Sequence, residues 1–230
     1  MMIRTLALTL GLALGGLAQA ATPSHLYTLN GSLSDSQGGP ALVAAGGTLG
    51  AQDYSFAANQ GLTLSGVLGD NYSIDLRFAM SALGGYQKLV DFKAGSQDAG
   101  FYAHGAELNF YPLASSGNVL GNGEWARLTL TRDAATQTFS AYLNGQLQLS
   151  FVDTGKLAVF NGSGQVARFF IDDLATNSRE AGAGRVDYIA TYDHALSAAE
   201  VSAVPEPSSV ALLLAGLGVV GLSLLRRRRD

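Results

Sequence analysis

The chain has 230 residues, no cysteine, and 14 basic against 18 acidic residues, a formal net charge of −4. Disulfides and all cysteine-based metal or nucleophilic chemistry are therefore excluded. Between residues 21 and 204 the balance is sharper, with nine basic against sixteen acidic residues. That argues against DNA, RNA or an anionic polysaccharide held by bulk charge, and leaves divalent cations open.

The chain opens MMIRTLALTLGLALGGLAQA, with one early positive charge at Arg4, an apolar run from Leu6 to Leu17, and small residues at Ala18 and Ala20. That order predicts a secretory signal peptide over 1–20, cleaved between Ala20 and Ala21. A domain over 21–203 follows, read as short strands between glycine-rich turns. In SIDLRFAM, Ile74, Leu76, Phe78 and Met80 share one face, with Asp75 and Arg77 on the other. ELNFY alternates Leu108 and Phe110 against Glu107 and Asn109, and WARLTLT continues the pattern with Trp125 expected in the core. TFSAYLNGQLQLSF places Asn144-Gly145 between two alternating runs, the strongest short-range hairpin signal, because a type I′ turn needs positive φ at both positions. RVDYIATYD reads as a further strand, and Ser197 and Glu200 in LSAAEV have capping-box spacing for one closing helical turn. No helical periodicity alternates with these strands, so the predicted fold is all-β, an antiparallel β-sandwich of jelly-roll type.

The last 27 residues, 204–230, have another order: VPEP, an uncharged run from Val210 to Leu225, then four arginines, Arg226, Arg227, Arg228 and Arg229. Sixteen helical residues span ~24 Å, slightly short of a ~30 Å hydrocarbon core that flanking serines and a snorkelling arginine extend toward. The arginines mark the cytoplasmic side and act as a membrane stop. Pro205, Glu206 and Pro207, followed by the apolar helix and the arginines, resemble the PEP-CTERM sorting signal of Gram-negative bacteria that make exopolysaccharide. The resemblance implies recognition and processing by exosortase, a membrane cysteine protease. It also implies an exported protein that passes through an inner-membrane-anchored precursor to the cell surface or extracellular matrix. The two prolines hold the segment extended, the form a protease needs.

A second resemblance covers about residues 26–201. WARLTLTRDAATQTFSAYLNGQ and ARFFIDDLATNSREAGAGRVDYIATYDHALSAAEV look like the core hairpin and closing part of laminin G-like, concanavalin A-like domains. This implies the jelly-roll fold but not one function, since such folds host lectins, adhesion modules, glycosidases and scaffolds.

The motifs for catalysis are absent. No Glu-x-Asp-x-Glu strand supplies paired carboxylates, and no His-Glu-x-x-His, Gly-x-Ser-x-Gly or Walker loop occurs. His25, His104 and His194 are scattered, so no catalytic residue is assigned. For metal, calcium is the candidate, held by Asp172 and Asp173 where an apolar strand gives way to a polar loop, and by Asp35 in a glycine-rich turn. The alternative for all three is a solvated acid ending a strand or filling a turn. For ligand, Tyr86 and Tyr102 stand beside glycines in loop-like sequence and are the surface aromatics on which a sugar ring would lie. The expected role is a non-enzymatic extracellular module binding polysaccharide or a surface protein in a biofilm matrix. A polysaccharide-active glycosidase or lyase, and a ligand-free structural matrix protein, are the alternatives.

Overall fold

The computed structural model describes residues 20–203; residues 1–19 of the predicted signal peptide (1–20) and the sorting segment from residue 204 onward lie outside them. Fifteen strands form two antiparallel sheets packed face to face. The first sheet runs β13 (Gln146–Val152), β12 (Thr138–Leu143), β11 (Ala126–Arg132), β6 (Tyr72–Met80), β15 (Gly184–Tyr192), β4 (Tyr54–Phe56), β3 (Thr48–Leu49), and β1 (His25–Tyr27) also pairs with β15. The second runs β10 (Ala114–Asn118), β9 (Glu107–Tyr111), β8 (Gly100–His104), β7 (Tyr86–Asp91), β14 (Ala167–Phe169), β5 (Leu62–Leu64), β2 (Val43–Ala44).

The alternating runs build this directly. Ile74, Leu76, Phe78 and Met80 are all buried in the core between the sheets. Phe110 and Phe139 meet from opposite sheets with ring centroids 4.9 Å apart, edge to face, and Phe92, Phe101, Phe151 and Phe160 extend the aromatic packing. The hairpin turn forms where expected: Asn144 has φ 50° and Gly145 φ 80°. The closing helix α1 (Ala198–Ala203) carries its capping box, with Ser197 N donating to Glu200 Oε2 (2.8 Å) and Glu200 N to Ser197 Oγ (3.3 Å). Among the described residues no helix is long and apolar enough to cross a membrane.

One feature goes beyond the sequence reading and one departs from it. The face of β6 that carries Asp75 is not solvated, because Tyr188, Ala190, Tyr192, Leu196 and Val201 form a second apolar cluster that lays α1 over it. Asp75 is fully buried there, accepting from Arg127 Nε (2.8 Å), Thr129 Oγ1 and the Tyr188 hydroxyl. Trp125 is not in the core. Its half-buried ring lies outside, with the Arg77 guanidinium 4.7 Å and the Arg185 guanidinium 4.9 Å from its centroid.

Candidate ligand-binding face

Side chains alternate across a strand, so burying one face of β7, β8 and β9 fixes what the other presents. Phe101, Ala103, Leu108 and Phe110 point into the core. The registers Tyr86↔His104, Lys88↔Tyr102, Tyr102↔Asn109 and Gly100↔Tyr111 therefore place Tyr86, Lys88, Tyr102, His104, Asn109 and Tyr111 together on the outward face. An irregularity between Lys88 and Val90 absorbs one extra residue and puts Asp91 on this face as well.

At one end of the face is an aromatic group. The Tyr86 ring lies flat on His104 (centroids 4.0 Å apart, planes 8° from parallel), with Tyr102 and Tyr111 edge-on to it at 5.4 and 5.7 Å. Tyr86 is half-buried and Tyr111 is 37% exposed. A side chain added at the neighbouring Gly84 or Gly85 would meet nothing, so the turn that leads into Tyr86 is uncrowded. Beside these rings sits Asn109, only 8% exposed; its Nδ2 donates to Ser115 Oγ (3.0 Å), while its Oδ1 has no partner. Buried acceptors are nearly always satisfied, so this oxygen, itself shielded from solvent, is an exception on this face. Tyr102, expected at the surface, is fully buried and spends its hydroxyl on Asp98 O (2.7 Å).

Further along the face lies a charged cluster. β14 ends at Phe169, and Phe170 turns the chain with φ 58°, so the two adjacent aspartates that follow both approach Lys88. Lys88, wholly buried, donates to the Asp173 carboxylate and stands 3.6 Å from Asp172 Oδ1, 3.8 Å from Asp91 Oδ2 and 4.6 Å from the Tyr102 ring centroid. Asp173 Oδ1 also accepts from Ala175 N (2.7 Å) and Thr176 N (3.1 Å), and Asp172 Oδ2 from Thr176 Oγ1 (2.7 Å) and Glu180 N (2.8 Å). Burial by itself would raise the Asp173 carboxyl, but the Lys88 ammonium and the two amides outweigh it and hold it below the usual carboxylate range. Burial does win at Asp91, which is pushed up, and at Glu180, pushed up further by Asp98 and Asp172. Asp91 Oδ2 and Asp172 Oδ1 have no hydrogen-bond partner. The charge shared by these carboxylates is thus the protein's own ammonium.

Asp35 has separate partners. It accepts from Leu26 N (2.9 Å), Gln37 N (2.9 Å) and Gly39 N (2.8 Å) and pairs with His25 Nδ1 (2.7 Å). Burial would raise its carboxyl, yet these bonds together bring it down to about 2. The turn needs glycine at 39, where a Cβ would lie 2.5 Å from Asp35 Oδ2. Among the described residues no group of three or more His, Cys, Asp or Glu side chains is arranged to hold a metal ion. Ala20 and Ala21 are partly buried at the edge of the described chain. Pro205, Glu206, Pro207 and Arg226 to Arg229 lie outside it.

Signals for the aromatic group existed in the sequence, but in pieces. Tyr86 was visible beside glycines; His104, Asn109 and Tyr111 join it only through strand register, which no local spacing reveals.

Two antiparallel sheets packed face to face, one with an aromatic and polar outer face, define a lectin-like jelly-roll sandwich. The chain belongs to the concanavalin A-like lectin/glucanases superfamily, whose laminin G family model matches residues 35–202. Residues 203–229 match the PEP-CTERM protein-sorting motif, which implies export to the cell envelope of a Gram-negative bacterium and processing by exosortase. Among solved structures, domain 4 of AbnA, a GH43 extracellular arabinanase from Geobacillus stearothermophilus, in complex with arabinotriose, is similar at TM-score 0.59 and 18% identity, covering 80% of this chain and 98% of that one. Trypanosoma rangeli sialidase in complex with 2,3-difluorosialic acid is similar at TM-score 0.60 and 14% identity over 78% of this chain. The binding domain of botulinum neurotoxin serotype D is similar at TM-score 0.56 and 13% identity over 77%. The match spans 32% of the sialidase chain and 49% of the neurotoxin one. At such identities the likeness is one of fold. No curated protein matches the chain.

Proposed function

We propose that the domain is a non-catalytic carbohydrate-binding module of the extracellular matrix, which exosortase processing frees from its membrane-anchored precursor. The observation that carries this reading is the group of Tyr86, His104 and Tyr111, packed ring on ring with Tyr86 half-buried and Tyr111 exposed. A sugar ring stacks on an exposed aromatic face while its hydroxyls meet the tyrosine hydroxyls at the rim, which pairs an apolar contact with a directional one. The arabinotriose complex of AbnA domain 4, a domain of similar fold and size, supports an oligosaccharide as the ligand class. Binding without hydrolysis fits the carboxylates of this face, because the buried aspartates are engaged by Lys88 and by backbone amides rather than paired across an open groove. Calcium is not needed in this reading, since Lys88 already supplies the positive charge between Asp172 and Asp173.

The test is co-sedimentation of the purified full chain with the producing bacterium's own exopolysaccharide, with and without a calcium chelator. Binding that survives the chelator and falls by about tenfold or more in Tyr86→Ala and Tyr111→Ala is expected. No binding by the wild-type chain under either condition would sink the lectin reading and leave a sorted scaffold.

A further inference from the structure

A concavity lies away from the aromatic face, where the loop before β6, the β11–β12 turn and the segment after β13 meet. It is a cleft of about 450 Å³ whose polar wall includes Asp70, Arg132, Gln137, Lys156, Asn161 and Gln165. Arg132 is 1% exposed and held at two points: Nε donates to Asp153 Oδ2 (3.0 Å) and Nη1 to Asp70 O (2.6 Å). No described residue accepts a hydrogen bond from its Nη2. Asp153 is itself fixed, accepting from Leu157 N (2.7 Å) and Ala158 N (3.1 Å), so the guanidinium cannot swing away. Lys93 Nζ ties the far wall by donating to Lys156 O (2.7 Å), Val159 O (2.9 Å) and Asn161 Oδ1 (3.4 Å). Three wall residues, Gln137, Lys156 and Gln165, hold left-handed backbone without being glycine (φ 57°, 53° and 44°). Strain of that kind persists where surrounding structure enforces it, and it clusters at ligand sites.

A rigid guanidinium with unspent N–H groups is built for a planar oxyanion. Lys156 adds a second cation, while the amides of Gln137, Asn161 and Gln165 offer both donors and acceptors to hydroxyls. Asp70 on the same wall opposes a dianion and accepts from a hydroxyl. We infer that this cleft binds a carboxylate-bearing sugar residue, a uronate, with Arg132 Nη2 on the carboxylate and the side-chain amides on the ring hydroxyls. The domain's acidic excess keeps polyanions from coating it, so recognition takes one residue at this cleft. The site shares no residue with the Tyr86 face, so either assignment can fail without the other.

The experiment titrates the purified full chain with a galacturonate trimer and with its methyl ester, by calorimetry. Binding of the acid, weaker binding of the ester by about tenfold, and persistence in Tyr86→Ala are expected. Gln137→Glu and Lys156→Glu, on half-buried and exposed positions that leave the Arg132–Asp153 pair intact, should each weaken the acid by about tenfold or more. Equal binding of acid and ester, binding of neither, or a Gln137→Glu variant indistinguishable from wild type would overturn the inference. Acetate should not displace the trimer at equal concentration; if it does, the cleft is an unspecific anion site and the sugar assignment fails.

Discussion

Tyr86 and His104 face each other directly across β7 and β8, and their rings stack at 4.0 Å with planes 8° apart. The imidazole is therefore the floor that sets the angle of the tyrosine ring a ligand would meet. Cross-strand aromatic pairs are worth about 0.5–1.5 kcal/mol, enough to orient a half-exposed ring but not to hold a fold together. His104→Ala is expected to weaken polysaccharide binding several-fold while moving the thermal midpoint little, and His104→Phe to restore binding. Affinity electrophoresis beside a thermal melt separates the two effects; a large drop in midpoint with binding per folded molecule unchanged would count against the orienting role.

Lys88 makes a different kind of demand. It is the one buried cation amid Asp91, Asp172 and Asp173, all four side chains having no exposed surface. Removing one partner of a buried pair leaves uncompensated charge, a loss of about 3–5 kcal/mol. Lys88→Met should lower the urea midpoint accordingly. Lys88→Met combined with Asp173→Asn should recover part of that, because the second change removes a stranded carboxylate. A single variant as stable as wild type would show that the ammonium is not what holds these carboxylates.

The acid limb of stability follows from Asp35. Its folded value is about 2, below the roughly 3.9 of an unfolded aspartate, so the unfolded chain binds more protons in that interval. The Asp35 contribution is therefore fully present above about pH 4 and is lost as pH falls toward about 2. Asp91 runs the other way: burial raises it, so its contribution is present below the unfolded value and is lost as pH rises through the folded one. Asp35→Asn should flatten urea midpoints measured across the acid limb, and Asp91→Asn should leave that limb in place. An unchanged acid slope in Asp35→Asn would refute the assignment.

How much of this was legible beforehand depends on range. The alternation of Ile74, Leu76, Phe78 and Met80, the Asn144-Gly145 turn and the Ser197–Glu200 box are all local, and all three are present as read. At Trp125 size and apolarity speak for the core, whereas Arg77 from β6 and Arg185 from β15 flank it outside through pairings that local sequence does not encode. Asp172 and Asp173 were recognised as acids at a strand end, but their cation is a lysine 84 and 85 residues earlier in the chain. Tyr102 looked exposed beside glycine; the strand register places it under Lys88 instead.

Trp125 and Phe139 provide the contrast that tests this placement. Exposed cation–π contacts are worth about 0.5–1 kcal/mol each, so Trp125→Ala should be mild. Phe139→Ala empties a site packed by Phe92, Phe101, Phe110 and Phe151 and should cost about 3–5 kcal/mol. Urea unfolding of the two variants decides; comparable losses would return Trp125 to the core.

The last relationship joins the fold to its sorting segment. Arg127 donates from Nε to Asp75 Oδ2 (2.8 Å) and from Nη2 to Val201 O (2.7 Å), so one buried guanidinium binds the middle of the sheet to α1. Val201 is fully buried against Tyr188, Tyr192 and Leu196, and the residues matching the sorting motif begin two positions later. The apolar contacts hold the helix down, and the arginine fixes where its end lies. Arg127→Met removes the second effect and strands Asp75 with Thr129 and Tyr188, which should lower stability by about 3–5 kcal/mol. Val201→Ala removes part of the first and leaves Asp75 satisfied, a smaller loss of about 1–2 kcal/mol. Hydrogen exchange distinguishes them. In Val201→Ala the amides of α1 should exchange faster while those of β6 and β11 keep their protection, whereas in Arg127→Met protection should fall in both. Equal loss across sheet and helix in Val201→Ala would mean that α1 opens only with the whole domain.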